Sequence, residues 1–133
     1  MISLIGKVGG HFTLSADIPA EEMFQCFIKN PRFRIPLTQL KTIKETVAPF
    51  KSNTFKIVHA GYVVAPWSKD KEISAKSILD IGLSAQICNY LNIPYYLVHL
   101  PATIDDIEEF TSVLKRIEEA ASKRAIMVFE PLA

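Results

Sequence analysis

Three side chains of the metal-ligand type end three successive apolar segments of the chain. The segments TFKIVH, IPYYLVH and AIMVFE end in His59, His99 and Glu130, respectively. In parallel α/β folds the carboxyl ends of the strands carry the functional site, so we expect these side chains to converge on one mouth. Two imidazoles and a carboxylate form a ligand set typical of a catalytic zinc that keeps a position open for water. A lone histidine in such a place is more often a hydrogen-bonded residue near the core.

Short apolar strands alternate with amphipathic helical stretches, which predicts βα units and a parallel sheet. FQCFI (24–28) reads as another strand, and the first strand is either SLIGKV or the stretch near HFTLS. Helices are expected before Pro49, from about Ile73 to Leu91, and after Thr103, which forms an [ST]-x-x-[DE] start with Asp106. The last helix should bury an apolar stripe formed by Ile104, Ile107, Phe110, Leu114 and Ile117. Five strands and about three helices fit either a doubly wound sheet or an αβ barrel.

The composition indicates one globular domain over residues 1–133. Hydrophobic residues make up 49% of the chain, and no apolar run reaches the length of a membrane span. The first residues lack the pattern of a secretory signal, so we expect an intracellular protein. Cys26 and Cys88 are then more consistent with reduced buried thiols than with a disulfide. Residues 1–57 carry eight Lys/Arg against four Asp/Glu, which is weak support for an anionic partner and also fits a solvated face.

Four segments, in order, resemble the endonuclease IV family of apurinic/apyrimidinic (AP) endonucleases. They are FIKNPR (27–32), IVHAGYVVAPWS (57–68), YLVHLPA (96–102) and MVFEPLA (127–133). The form H-x-x-Y-x-x-x-P-W-S that begins at His59 is particularly similar to the shorter viral members. The resemblance implies a partial TIM-type barrel of about five parallel strands, which this chain alone does not close.

The resemblance also implies an activity and a set of site residues. The family hydrolyses the DNA backbone 5′ to an abasic site with zinc ions bound at the barrel mouth. His59, His99 and Glu130 match metal ligands of the family, and Glu130 matches a carboxylate that bridges two metals. One to three zinc ions are implied, and a complete three-ion cluster needs ligands that this chain lacks. The substrate implied is abasic double-stranded DNA, and the chain would act in base excision repair.

Residues of two loops match the DNA-binding parts of the family. Arg32 matches an arginine inserted into the base stack, Tyr62 a tyrosine that helps hold the duplex open, and Asn30 lies in the same loop as Arg32. His11, Arg34 and Trp67 are weaker candidates. Arginines in a loop also fit solvated surface charges, while Tyr62 and Trp67 also fit packing aromatics, and Trp67 is the more typical of packing.

The match to the family is incomplete at both ends. The remaining metal ligands of the family belong to strands six to eight, and the usual G-x-H-x-S first strand is replaced here by Gly10-His11-Phe12 or by a stretch with no histidine. Three explanations remain open: a fragment of a longer enzyme, a short paralogue that forms a homodimer or an open sheet, and a chain complemented by separate C-terminal strands. Unpaired edge strands would favour pairing with another chain.

Two other functions fit parts of the pattern. A sugar isomerase or epimerase related to xylose isomerase would share the barrel and the His/Glu ligands at the strand ends, with a single metal. A non-catalytic fragment that binds DNA or a protein partner would tolerate the missing ligands. The N-P-R loop and Tyr62 favour DNA over a sugar, because a sugar enzyme does not require an inserted arginine.

Overall fold

A computed structural model describes residues 11–13, 24–28, 40–50 and 55–131, with only the backbone described for 11–13 and Phe24. Five strands and three helices lie in these ranges. In chain order they are β1 (His11–Thr13), β2 (Phe24–Phe27), α1 (Leu40–Thr46), β3 (Lys56–His59), α2 (Lys71–Leu91), β4 (Tyr95–His99), α3 (Ile107–Ala121) and β5 (Ile126–Glu130). The HFT stretch is therefore β1, whereas SLIGKV lies outside the described residues.

The strands form one parallel sheet in the order β1-β2-β3-β4-β5. Each strand pairs with its neighbour in sequence, and the order never reverses as it does in a doubly wound sheet. Sequential order of this kind is that of a barrel wall. Within the described ranges β1 and β5 are edges that do not pair with each other, so the predicted open, partial α/β barrel is confirmed.

The helices α2 and α3 begin and end at residues whose side chains or backbone cap them. Asp70 accepts hydrogen bonds from the backbone N–H groups of Glu72 and Ile73, and Asn92 ends α2 in the left-handed conformation with φ 63°. The predicted start of α3 at Thr103 is wrong. Asp106 is the N-cap instead, because its own carboxylate accepts from the N–H groups of the two following glutamates, so α3 begins later.

The apolar stripe predicted for α3 is correspondingly shifted. Ile104 and Ile107 are 50% and 66% exposed, since the first precedes the helix and the second lies on its outer surface. The residues of α3 that are buried against the rest of the fold are Val113, Ile117 and Ala121. Of the predicted stripe, only Ile117 is fully buried.

The main core lies between the sheet and the helices. Cys26, Val58, Tyr96 and Val98 share one core cluster with buried residues of the three helices. Both cysteines are free and buried, as expected. Burial raises the pKa of the Cys26 thiol to about 12, so this thiol is neutral at physiological pH. Among the described helices, none combines the length and the apolar character that crossing a bilayer requires.

Candidate metal centre at the strand ends

The last residues of three neighbouring strands meet at one edge of the sheet. His59 ends β3, His99 ends β4 and Glu130 ends β5, and one ligand atom from each lies within 4.8 Å of the other two. The register explains the convergence, because His99 pairs directly with Glu130 while His59 pairs with Leu97, two positions before His99. Residues two apart on a strand point to the same face. All three side chains therefore leave the sheet on the side opposite the helix-facing core.

His59 is the buried member of this group, with 6% exposure. Its Nδ1 lies 2.6 Å from the carbonyl oxygen of Ala60, the next residue. A carbonyl oxygen can only accept a hydrogen bond, so this contact selects the tautomer whose proton is on Nδ1. The lone pair is then on Nε2. A backbone carbonyl that holds the second nitrogen of an imidazole is a frequent companion of metal-binding histidines.

His99 and Glu130 approach each other closely without forming a hydrogen bond. Nε2 of His99 lies 2.9 Å from Oε1 of Glu130, and the two side chains are 37% and 52% exposed. The Nε2 atom itself is buried, and no described group forms a hydrogen bond to it with acceptable geometry. The nitrogen is close to the carboxylate oxygen, but their geometry is not that of a hydrogen bond. Such an arrangement is consistent with two metal-ligand atoms that face a shared cation.

The backbone on both sides of the group is held by hydrogen bonds that continue the sheet. Ala60 N–H donates to the carbonyl oxygen of Leu97 at 2.8 Å, and Leu100 N–H donates to that of Glu130 at 2.9 Å. These bonds lie directly after the two histidines. They fix where each strand end points before any ligand binds.

The donor set fits a divalent metal ion. Two donors bound to one zinc ion lie about 2.1 Å from it, and hence no more than about 4.2 Å apart. The three atoms here lie within 4.8 Å, so at most a small closure of the group is needed. Cysteine ligation is disfavoured for Cys26, because a thiol must lose its proton to bind zinc and burial opposes that loss. The group of two histidines and one glutamate could therefore hold a metal.

A cavity of about 330 Å³ opens beside the two histidines, between the loops that follow β3 and β4. Tyr62 lines this cavity and is 57% exposed. Trp67 also lines this cavity, but its indole stacks on Phe110 with ring centroids 5.2 Å apart, and its Nε1–H donates to the carbonyl oxygen of Phe110 at 3.3 Å. Trp67 thus joins the β3–α2 loop to α3, which is the packing alternative noted above.

Of the remaining sequence candidates, the structure gives only the backbone position of His11. His11 pairs with Gln25, which pairs with Ile57, so its backbone lies two positions before the level of His59. That offset is about 6.6 Å along the strands, and β1 is also two strands away from β3. Asn30, Arg32 and Arg34 lie outside the described residues.

Phe27, the last residue of β2, adjoins the site but was not among the residues predicted from the sequence. It is 2% exposed, and its ring centroid lies 5.3 Å from that of His59. The sequence held a signal for it, because the strand FQCFI is followed directly by the K-N-P-R segment that resembles the DNA-binding part of the family. The final residue of that strand had to adjoin the same mouth.

Comparisons with known proteins agree with this architecture. No family model matches the chain. The chain is 32% identical over 131 residues to a "Probable endonuclease 4" from Aquifex aeolicus, an alignment that covers 92% of this chain and 44% of that protein. The chain thus spans less than half the length of this curated relative.

Two solved structures share the fold. The endonuclease IV from Thermus thermophilus superposes with a TM-score of 0.62 at 18% identity, covering 90% of this chain and 50% of that one. The crystal structure of AsfvAP:AG gives a TM-score of 0.54 at 24% identity, covering 82% and 34%. The resemblance stated from the four sequence motifs is confirmed: over most of its length this chain is similar to part of an endonuclease IV.

Proposed function

We propose that this chain acts in DNA repair as the N-terminal part of a zinc-dependent AP endonuclease. Its reaction would be hydrolysis of the phosphodiester 5′ to an abasic site in double-stranded DNA. The proposal takes residues 1–133 as one domain and the protein as intracellular. The observation that carries it is the convergence of His59, His99 and Glu130 at the ends of three neighbouring strands, in a chain similar to a probable endonuclease 4.

The three converging side chains would hold zinc. His59 would bind through Nε2, since Nδ1 faces the Ala60 carbonyl, and His99 and Glu130 would bind through the two atoms that already lie 2.9 Å apart. A bound zinc ion lowers the pKa of its water to about 7 and so supplies hydroxide at neutral pH. Three protein donors suffice for one ion with an open position. A second or third ion requires ligands from elsewhere.

Glu130 would be the catalytic carboxylate, because it would help to hold the metal and is the most exposed of the three strand-end side chains. Its exposure of 52% leaves one side of the carboxylate open to a second ion or to a phosphate-bound water. His59 is buried and held by its backbone contact. The buried histidine would therefore orient the site, and the exposed glutamate would adjust to the substrate.

The DNA would lie across the mouth formed by the loops after β2 and β3. Tyr62 is exposed there, and Asn30 and Arg32 follow β2, the strand next to β3, in the sequence. Arg34 and Trp67 would be secondary contacts. Arginine suits this role because its planar, permanently charged guanidinium both stacks and pairs with phosphate. An abasic nucleotide has no base to unstack, so its extrusion into the cavity costs less.

Replacing Arg32 by alanine should weaken binding to a duplex with one abasic site by about 10- to 100-fold, because hydrogen bonds to charged groups contribute about 1.5–3 kcal/mol. Fluorescence anisotropy with labelled duplexes at several salt concentrations would measure the loss. The matched control is Arg124→Ala, since Arg124 precedes β5 and so lies at the opposite end of the sheet. Equal affinities of the Arg32 variant and the unchanged protein would remove the DNA-binding role assigned to this loop.

The function itself is tested by incision of an abasic duplex by the 133-residue chain, with zinc and with a chelator. Zinc-dependent cleavage 5′ to the lesion supports the proposal. Cleavage whose rate per chain rises with protein concentration would support a homodimer. No cleavage with retained binding would overturn the catalytic proposal and leave the non-catalytic DNA-binding alternative. The sugar isomerase alternative is not favoured, because the relatives named above are endonucleases.

A further inference from the structure

One buried phenylalanine contacts both the proposed metal centre and the proposed DNA-binding surface. Phe27 ends β2, and the pairing of Cys26 with Val58 puts Phe27 level with His59 on the adjacent strand. Both rings project to the same face of the sheet. Their centroids lie 5.3 Å apart with an interplanar angle of 50°.

The same phenylalanine ring meets the edge of Tyr62. The centroids of Phe27 and Tyr62 lie 5.3 Å apart at 71°, whereas those of His59 and Tyr62 are 6.5 Å apart. Phe27 is 2% exposed and Tyr62 is 57% exposed. Phe27 is thus the most buried member of a three-ring cluster that extends from the buried histidine at the strand end to the exposed tyrosine.

The Phe27 ring and the Ala60 carbonyl restrain the same imidazole from different directions. The imidazole rotates about its Cβ–Cγ bond, and the Nδ1 contact with Ala60 holds one of its atoms. The tilted Phe27 ring packs against the imidazole and restricts the same rotation. His99 lies on the other side of His59, with ring centroids 4.8 Å apart and near perpendicular planes.

We propose that Phe27 is a positioning residue that sets the orientation of the His59 imidazole and, through the same ring, the place of Tyr62. The inference deepens the proposed function and rests on it for the identity of the ligand. It links the metal centre to the DNA-facing tyrosine through one side chain, so a change at residue 27 affects both. A packing residue elsewhere on the sheet would affect neither.

The test compares Phe27→Leu with Phe55→Leu, which makes the same change in another aromatic pair. Phe55 stacks on Tyr95 with centroids 5.2 Å apart, at the opposite end of β3 and β4. Histidine-ring NMR of the metal-free protein reports the tautomer and the mobility of His59, and titration with Co²⁺ reports ligation. For Phe27→Leu we expect broadened or mixed-tautomer His59 signals and Co²⁺ affinity about tenfold weaker, as for other groups that orient a ligand. For Phe55→Leu we expect neither change.

The outcomes separate this inference from the proposed function. Unchanged His59 signals and Co²⁺ affinity in folded Phe27→Leu would overturn the positioning role. If Phe27→Leu alters the His59 signals but the unsubstituted protein itself binds no Co²⁺, the positioning role is supported and the proposed metal function is overturned. If Phe27→Leu does not fold, NOEs in the unchanged protein decide, because rings 5.3 Å apart must show ring-to-ring NOEs from Phe27 to both His59 and Tyr62. Their absence would also overturn the inference.

Discussion

Replacing His59 and His99 together by alanine is expected to abolish zinc binding. The double variant retains only Glu130 of the three donors, and one exposed carboxylate does not hold zinc against water. Bound zinc per chain, measured by equilibrium dialysis and atomic absorption at micromolar zinc, should fall from about one to near zero, a loss of affinity on the order of 1,000-fold or more. Incision of abasic DNA should be lost with it.

Two further variants make this result interpretable. His11→Ala is the matched control, since it also removes a histidine but from a backbone position two residues before the level of His59. It should leave zinc binding unchanged. Glu130→Gln changes an exposed side chain and should weaken zinc binding without unfolding the chain. A double histidine variant that still binds one zinc per folded chain would show that the ligands lie elsewhere.

Leu91→Ala is expected to cause the largest loss of stability of any single change considered. Leu91, the last residue of α2, is 0% exposed and belongs to the main core cluster. Truncating a buried leucine leaves a cavity and costs about 2–5 kcal/mol in free energy of unfolding. That cost is a large fraction of the total stability of a small domain. Urea unfolding followed by circular dichroism would measure it as a lower midpoint at an unchanged slope.

Leu79→Ala on the same helix provides the control. Leu79 is 55% exposed, so its truncation removes little buried surface and should change the free energy of unfolding by no more than about 0.5 kcal/mol. Both variants make the same change of residue type within α2. If the two variants were equally stable, α2 would not pack on the sheet as described.

The alternation of strands and helices was predictable because burial leaves a strong period in the sequence. β3, β4 and β5 are short apolar runs, and the structure has them within two residues of the predicted ranges. The start of α3 was not predictable in the same way. Thr103 and Asp106 both suit a cap, and only the backbone geometry decides that the Asp106 carboxylate meets the first free N–H groups.

The convergence of the two histidines and Glu130 followed from a general property of parallel sheets, and therefore could be expected without coordinates. The roles of Ala60 and Phe27 could not. The contact of the Ala60 carbonyl is a backbone contact, so the residue type at position 60 does not reveal it. Phe27 contacts His59 across two strands, and sequence patterns do not fix the register that brings them together. For His11, a weaker site candidate, only the strand pairing gives a position, and its backbone lies two residues before the level of His59.

The three donors come from residues far apart in the chain and from three separate strands, one of which is the edge strand β5. An ion held by all three would therefore act as a crosslink that fastens β5 to β4 and β3. Because such a ligand binds the native chain and not the unfolded one, its free energy of binding adds to that of folding. Thermal stability would then follow the free zinc concentration, and the loss of metal would loosen β5 along with the proposed metal centre.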